Sequence, residues 1–251
     1  MTTFYINYLK NIRGLAHTTI ELYTKYVHQL IECELDYQIA IKQFEHNSNA
    51  TKRIILSAYK SFYKFINDER CSQIVLPRKN KKVCSYVSEQ DYWPLVGQIG
   101  AINSKKSRRL LLIIRLLYET GIRSNELLSI NKQDINNNEI IIKGKGNKER
   151  IIYLSLNLKE LLYEYINNGH IDGLLFKFKY KNLYKMISSL SKYLNKKISP
   201  HSFRRGFASY CINRNTNLYT LSQMMGHVDL NTTKNYICNY SYAHEMSNLF
   251  N

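Results

Sequence analysis

The stretch EIIIKGKGNKERIIYL, residues 139–154, interrupts a chain whose other patterns are helical. Its two runs, 139–143 and 150–154, are rich in isoleucine, and a turn of glycine, asparagine and lysine separates them. Short β-branched runs around such a turn are typical of a β-hairpin. We therefore expect a mainly α protein with one small antiparallel β-sheet.

Helical periodicity surrounds this hairpin on both sides. Apolar residues recur at helical spacing over 17–31 and 48–66. Ser88 is predicted to open a further helix, with Asp91 at the third position of a capping box. The strongly apolar run 110–128 predicts buried helices of a larger domain.

A basic segment divides the chain into two parts. Pro77 disfavours helix for the residue before it, and four of the five residues in 78–82 are basic. This composition predicts a boundary, with a helical domain over 1–75, a linker over 76–87 and a larger domain over 88–251. The linker is either a simple solvated connection or a segment that lies along a polyanion.

The charge of the chain points to a polyanionic partner. It carries 36 Lys and Arg residues against 19 Asp and Glu residues, a formal net charge of +17. Such a surplus favours binding to DNA or RNA. The codon bias of an AT-rich genome is an alternative source of the lysines, but it explains the deficit of acidic residues less well.

Composition also excludes several classes of protein. Hydrophobic content of 44% and aromatic content of 12% argue against a disordered chain. No run approaches the roughly 18 apolar residues of a membrane span, and we see no signal peptide. The cysteines do not form a C-x-x-C pair, so we expect free thiols in a reducing cytosol and no metal site. They are Cys33, Cys71, Cys84, Cys211 and Cys238.

Two arginines lie in patterns that suggest a function. Arg123 follows Gly121 within an apolar stretch, and either pairs with Glu126 or presents its planar fork to two phosphate oxygens. Arg204 follows His201 by three residues, so the two share a helix face. A surface histidine beside arginines that contact a DNA backbone is the alternative there.

Two further patterns indicate a function only weakly when each is taken by itself. Lys145 lies between glycines at the predicted hairpin tip, which is not a Walker A loop. Such a lysine is commonly just solvated, but flanking glycines allow close approach to a ligand. Near the C-terminus, Met225-Gly226-His227 precedes the run 232–236, which ends in Tyr236.

In their order and spacing these patterns resemble the tyrosine recombinase (phage integrase) family, in a compact Xer-like form. The family motif G-[LI]-R-x-x-E-L is met at 121–127, and G-K-G-x-K-x-R at 144–150. H-x-x-R, L-G-H and T-T-x-x-Y follow at 201–204, 225–227 and 232–236. The resemblance implies six catalytic residues: Arg123, Lys145, His201, Arg204, His227 and Tyr236.

The resemblance implies phosphoryl transfer without metal or cofactor. Tyr236 would attack the DNA phosphate, forming a 3′-phosphotyrosyl bond and freeing a 5′-hydroxyl. A phenol has a pKa of about 10, so it needs a proton acceptor, for which His201 is the candidate. Lys145 is the candidate acid for the leaving oxygen.

The remaining roles follow in the same way. Arg123, Arg204 and His227 would bind the phosphate oxygens, and Glu126 would hold Arg123 in place. Basic residues outside this set are predicted to contact DNA. They are Lys52, Arg53, Lys60, Arg78, Lys79, Lys81, Lys82, Lys143, Lys148, Arg150 and Arg205.

The family fold is a two-domain, C-shaped clamp around DNA. By this resemblance 1–75 is a helical, SAM-like core-binding domain and 88–251 is the catalytic domain. The tail 237–251 would dock on a neighbouring subunit or in cis. The expected assembly on double-stranded DNA is a homo-tetramer, or a hetero-tetramer with a second recombinase. We expect a cytoplasmic, nucleoid-associated protein with no membrane partner.

Two positions depart from the family pattern. Arg205 stands where histidine is common, and Met225 replaces the leucine of L-G-H. Neither is one of the six catalytic positions. The expected function is site-specific recombination through a Holliday junction, in an Xer-like or a mobile-element integrase. The alternatives are a type IB topoisomerase-like enzyme and a non-catalytic, integrase-derived DNA-binding regulator.

Overall fold

The chain divides into two compact units, residues 1–82 and 83–251. The structure, a computed structural model, describes residues 2–78, 85–144, 149–227 and Thr233. Within these ranges, no helix has both the length and the apolar character needed to cross a membrane.

The first unit is helical and has its own core. The aromatic rings of Tyr5, Tyr59 and Phe62 lie fully buried between its helices, with Val27 and Leu30 beside them. The helices of this unit are α1 (Thr2–Asn7), α2 (His17–Glu32), α3 (Tyr37–Lys42), α4 (Asn49–Phe65) and α5 (Arg70–Gln73), with a π-helical turn at Tyr8–Ile12. Both predicted helical patterns of this region are confirmed.

The second unit combines eight described α-helices and a short 3-10 helix at Lys132–Asp134 with one sheet. Ser88 caps the first of them, and Asp91 completes the predicted capping box. The helices are α6 (Glu89–Gly100), α7 (Lys105–Thr120), α8 (Ser124–Ser129), α9 (Leu156–Gly169), α10 (Tyr180–Ser188), α11 (Ser191–Leu194), α12 (Pro200–Asn213) and α13 (Leu218–Met225).

The sheet is small and antiparallel, in the strand order β1-β2-β3. Its strands are β1 (Ile135–Asn136), β2 (Glu139–Lys143) and β3 (Glu149–Tyr153). The hairpin prediction is confirmed, although β3 begins one residue earlier than predicted. Strand β1 was not predicted, because two residues carry no readable periodicity.

The end of α7 is fixed against α12 by a glycine. Gly121 has a φ of +62°, and a Cβ atom there would lie 2.3 Å from the ring of Phe207. Only glycine satisfies both the left-handed backbone and this contact. The chain therefore turns into α8 directly beside α12, and this turn brings the 121–127 and 201–204 motifs together.

Candidate active site

Four of the six predicted catalytic side chains line one open cavity of about 880 Å³ in the second unit. They come from α8, α12 and the end of α13, which are distant in sequence. The lining residues are Ile122, Arg123, Ser124, Asn125, Glu126, Ser129, Lys143, Gly144, Tyr180, Pro200, His201, Arg204 and His227.

Arg123 is held at the start of α8 and still reaches the cavity. Its Nη1 donates to Oε1 of Glu126 over 2.8 Å, and its Nη2 donates to the carbonyl of Gly226 over 2.6 Å. The side chain remains 40% exposed. The guanidinium is thus fixed on one side and open to a ligand on the other.

Arg204 is almost fully buried, one helical turn after His201 on α12. It donates to the carbonyl oxygen of Gly121 and, over 2.7 Å, to that of Met225. A buried guanidinium is costly unless it is hydrogen-bonded. The two carbonyl oxygens satisfy N–H groups of the guanidinium and carry no net negative charge themselves.

His227 is oriented from both sides of its ring. Its Nε2 lies 2.8 Å from Nη2 of Arg204, and its Nδ1 lies 2.8 Å from Oγ1 of Thr233. A guanidinium only donates, so Nε2 of the neutral ring accepts and Nδ1 carries the proton. Arg204 therefore selects the tautomer of His227, and the hydroxyl oxygen of the fully buried Thr233 accepts from Nδ1.

Both histidines are neutral at neutral pH. Desolvation in the site and the charges of Arg205, Arg204 and Arg123 lower the pKa of His201 to about 4. Desolvation and the neighbouring arginines likewise lower the pKa of His227 to about 4. His201 is exposed, and its ring is unprotonated at neutral pH, which is the state that a proton acceptor needs.

Glu126 is ionised between two guanidinium groups. Burial alone would raise the pKa of this carboxyl, but hydrogen bonds from Arg150 and Arg123 outweigh it and lower the pKa to about 2. Its carboxylate therefore holds the guanidinium of Arg123 by an ion pair. At neutral pH the positive charges of the cavity therefore exceed this single negative charge.

The histidine pKa values predict a loss of stability in mild acid. The unfolded chain protonates His201 and His227 near pH 6.5, whereas the folded protein does so near pH 4. The unfolded state binds more protons in this window, so the free energy of unfolding falls as the pH falls from 6.5 to 4. Thermal melts across the window measure this slope, and a variant with both histidines changed to Gln should flatten it. An unchanged slope in that variant would contradict the assignment.

Two predicted catalytic residues, Lys145 and Tyr236, lie outside the described residues. Their described neighbours in sequence lie at the site. Gly144 lines the cavity, and Thr233 contacts His227.

The predicted DNA-binding residues have different surroundings. Arg53 and Lys60 on α4 donate to the carbonyls of Pro77 and Ile74, over 2.8 Å and 3.4 Å. Lys52, on the same helix, is half-buried, and Arg78 is exposed. The residues outside the described ranges are Lys79, Lys81, Lys82 and Lys148.

In the second unit, Lys143 is exposed and lies 3.2 Å from Asp134. Arg205 donates to the carbonyl of Ser85 over 3.3 Å. The side chain of Arg150 is only 15% exposed and is paired with Glu126.

Some groups that build the site were not predicted as functional. The carbonyls of Gly226 and Met225 hold the two arginines, and Thr233 holds His227. Sequence identifies none of the carbonyl contacts, because every residue carries a carbonyl. Thr233 had a signal, since it belongs to the T-T-x-x-Y motif.

Known proteins resemble this chain over much of its length. The phage integrase family model matches residues 95–242. Tyrosine recombinase XerA of Saccharolobus solfataricus is 34% identical over 191 residues, which cover 75% of this chain and 63% of that protein. Tyrosine recombinase XerD of Halalkalibacterium halodurans is 26% identical over 282 residues, covering 92% of this chain and 90% of that protein.

Solved structures share the fold. The XerH site-specific recombinase bound to palindromic difH substrate, in a post-cleavage complex, superposes with a TM-score of 0.77 at 21% identity. That match covers 98% of this chain and 84% of the XerH chain. Since the family model spans more than half of the sequence, the chain belongs to the phage integrase family, the tyrosine recombinases.

Proposed function

We propose that the protein is a site-specific DNA recombinase that cleaves and rejoins strands through a 3′-phosphotyrosyl intermediate and a Holliday junction. The observation that carries this proposal is the convergence of Arg123, His201, Arg204 and His227 on one cavity. Two fixed guanidinium groups and two neutral imidazoles suit a phosphodiester that gains charge in its transition state.

The proposed reaction needs no metal and no ATP. The phenol oxygen of Tyr236 attacks phosphorus, the bond from phosphorus to the 5′-oxygen breaks, and His201 takes the phenol proton. Lys145 gives a proton to the leaving 5′-oxygen. Attack of a partner strand's 5′-hydroxyl on the phosphotyrosine reverses these steps and releases the enzyme.

Arg123 and Arg204 would bind the non-bridging oxygens. The described geometry supports this role, because Arg123 is exposed to the cavity and Arg204 borders it. His227 would donate a further hydrogen bond once its Nε2, which accepts from Arg204 in the free protein, carries a proton. Phosphate binding would therefore rearrange the Arg204–His227 contact.

The proposed partner is double-stranded DNA, gripped between a core-binding domain (1–75) and a catalytic domain (88–251). The net charge of +17 supports a polyanion, with affinity that falls steeply with salt. The relative XerH was captured on its difH substrate, which supports a specific target site. DNA as the partner would place the protein on the nucleoid, in the cytoplasm.

The proposed assembly on DNA is a tetramer, of this chain alone or with a second recombinase. Exchange between two duplexes breaks four strands, and each break uses one tyrosine. The tail 237–251 is proposed to link neighbouring protomers. Whether the exchange serves an Xer system or a mobile element depends on the target site.

The test is a covalent adduct on DNA. Duplexes that the native protein enriches from a random-sequence pool are nicked near the centre, so that the cleaved end diffuses away and traps the intermediate. We expect an adduct that survives denaturation, with a free 5′-hydroxyl on the released strand. Binding without any adduct would favour the regulator, and relaxation of plasmids that lack the selected site would favour the topoisomerase.

A further inference from the structure

Arg150 binds the carboxylate of Glu126 through both terminal nitrogens of its guanidinium. Its Nη1 donates to Oε1 over 2.9 Å and its Nη2 donates to Oε2 over 2.7 Å. The two side chains are 15% and 9% exposed. A bidentate, largely buried pair of this kind fixes both orientation and distance.

Arg150 also packs against Gly226, the second residue that holds Arg123 in place. Arg123 is held by Glu126 and by the carbonyl of Gly226. A Cβ atom on Gly226 would lie 2.7 Å from Nη1 of Arg150, so the guanidinium packs directly on this glycine, whose φ is +62°. Both groups that hold Arg123 are thus in contact with Arg150.

The position of Arg150 in the sheet extends this link to the hairpin. Arg150 lies in β3 opposite Ile142 of β2, one pair before Lys143 and Glu149 at the ends of the two strands. A side chain fixed on Glu126 therefore ties this end of the hairpin to the start of α8.

We infer that Arg150 is a positioning residue for strand cleavage, which sets Arg123 through Glu126 and Gly226 and anchors the hairpin to the cavity. This inference rests on the proposed recombinase function. It replaces the contact with the DNA backbone that the sequence predicted for Arg150.

The two roles of Arg150 make opposite predictions. A phosphate contact contributes to affinity and to its salt dependence, and its loss lowers the slope of log K against log salt by about 0.9. A positioning residue contributes to the rate at saturating DNA. Loss of such a residue behind a catalytic group typically costs about 10- to 100-fold in activity.

The experiment measures both quantities on the nicked duplex selected by the native protein. We expect Arg150→Gln to keep the DNA affinity and salt slope and to slow adduct formation at saturating DNA by about 10- to 100-fold. Arg150→Lys keeps the positive charge but loses the planar guanidinium. Its rate of adduct formation should therefore lie between those of the native protein and Arg150→Gln. The matched control is Arg108→Gln, since Arg108 lies at the far end of α7 and pairs with Glu164 at 3.4 Å.

A double variant shows whether Arg150 acts through Glu126. If it does, the slowing in Glu126→Gln with Arg150→Gln should be smaller than the product of the two single effects, because part of the effect of Arg150 passes through Glu126. Fully additive losses would overturn the inference. So would normal cleavage by Arg150→Gln at saturating DNA with a reduced salt slope, because that result makes Arg150 a phosphate contact.

Three further outcomes separate a failure of this inference from a failure of the proposed function. Parallel loss of DNA binding and cooperative melting in both Arg150 variants would show a purely structural role and overturn the inference. If the native protein and Arg108→Gln form no adduct, the proposed function itself fails. If both form adduct and Arg150→Gln matches them in rate, only the role of Arg150 fails.

Discussion

A Tyr236→Phe variant is expected to form no covalent adduct with DNA while binding its target as tightly as the native protein. Phenylalanine keeps the ring and removes only the oxygen that attacks phosphorus. Loss of a covalent nucleophile leaves no substitute path to the phosphotyrosine, so the effect is complete rather than graded. The measurement is adduct formation on the nicked duplex, beside an affinity measurement on the intact duplex.

The matched control for this experiment is Tyr180→Phe. Tyr180 begins α10, lines the cavity and is 48% exposed, so its phenol is near the same side chains. We expect Tyr180→Phe to retain the adduct. Adduct that persists in Tyr236→Phe and disappears in Tyr180→Phe would assign the nucleophile to Tyr180 instead.

Local signals in the sequence were sufficient for most of the fold. The cap at Ser88 acts within one helical turn, and the hairpin follows from residues that are neighbours along the chain. The same holds for the Arg123–Glu126 pair, three residues apart. Such features depend on short-range physics, which a single sequence displays directly.

The contacts that complete the site are of another kind. Arg123 donates to a carbonyl 103 residues away, and Arg204 to one 83 residues away. These bonds form because α7, α12 and α13 pack together. Every residue has a backbone carbonyl, so the sequence does not indicate which carbonyl will accept. The motifs predicted the site residues, whereas packing determines which groups contact the four that line the cavity.

Arg150 shows where a readable signal was missed. Residues two apart in a strand share a face, so Arg150 lies on the same side of β3 as Ile152, which is buried. Its partner across the hairpin, Ile142, is buried as well. The alternation of β3 therefore indicated a buried arginine, which needs an acidic partner, besides the predicted contact with a DNA backbone.

An Arg204→Lys variant is expected to cleave about 10²- to 10³-fold more slowly at saturating DNA, the usual cost of losing one charge-stabilising donor. Lysine keeps the charge but is a point donor, and it cannot serve two carbonyls and an oxyanion in one plane. The carbonyls of Gly121 and Met225 would lose the donors that the guanidinium supplies. We therefore also expect a lower melting temperature.

Arg205→Lys separates this effect from a general loss of charge on α12. Arg205 is the next residue, is half-buried and donates to the carbonyl of Ser85. We expect its lysine variant to cleave at nearly the native rate once DNA is saturating, with any change confined to affinity. Near-native cleavage by Arg204→Lys would mean that its guanidinium does not stabilise the transition state. Because Arg204 is buried and bonded to two fixed carbonyls, it has little freedom to reach a phosphate placed anywhere else.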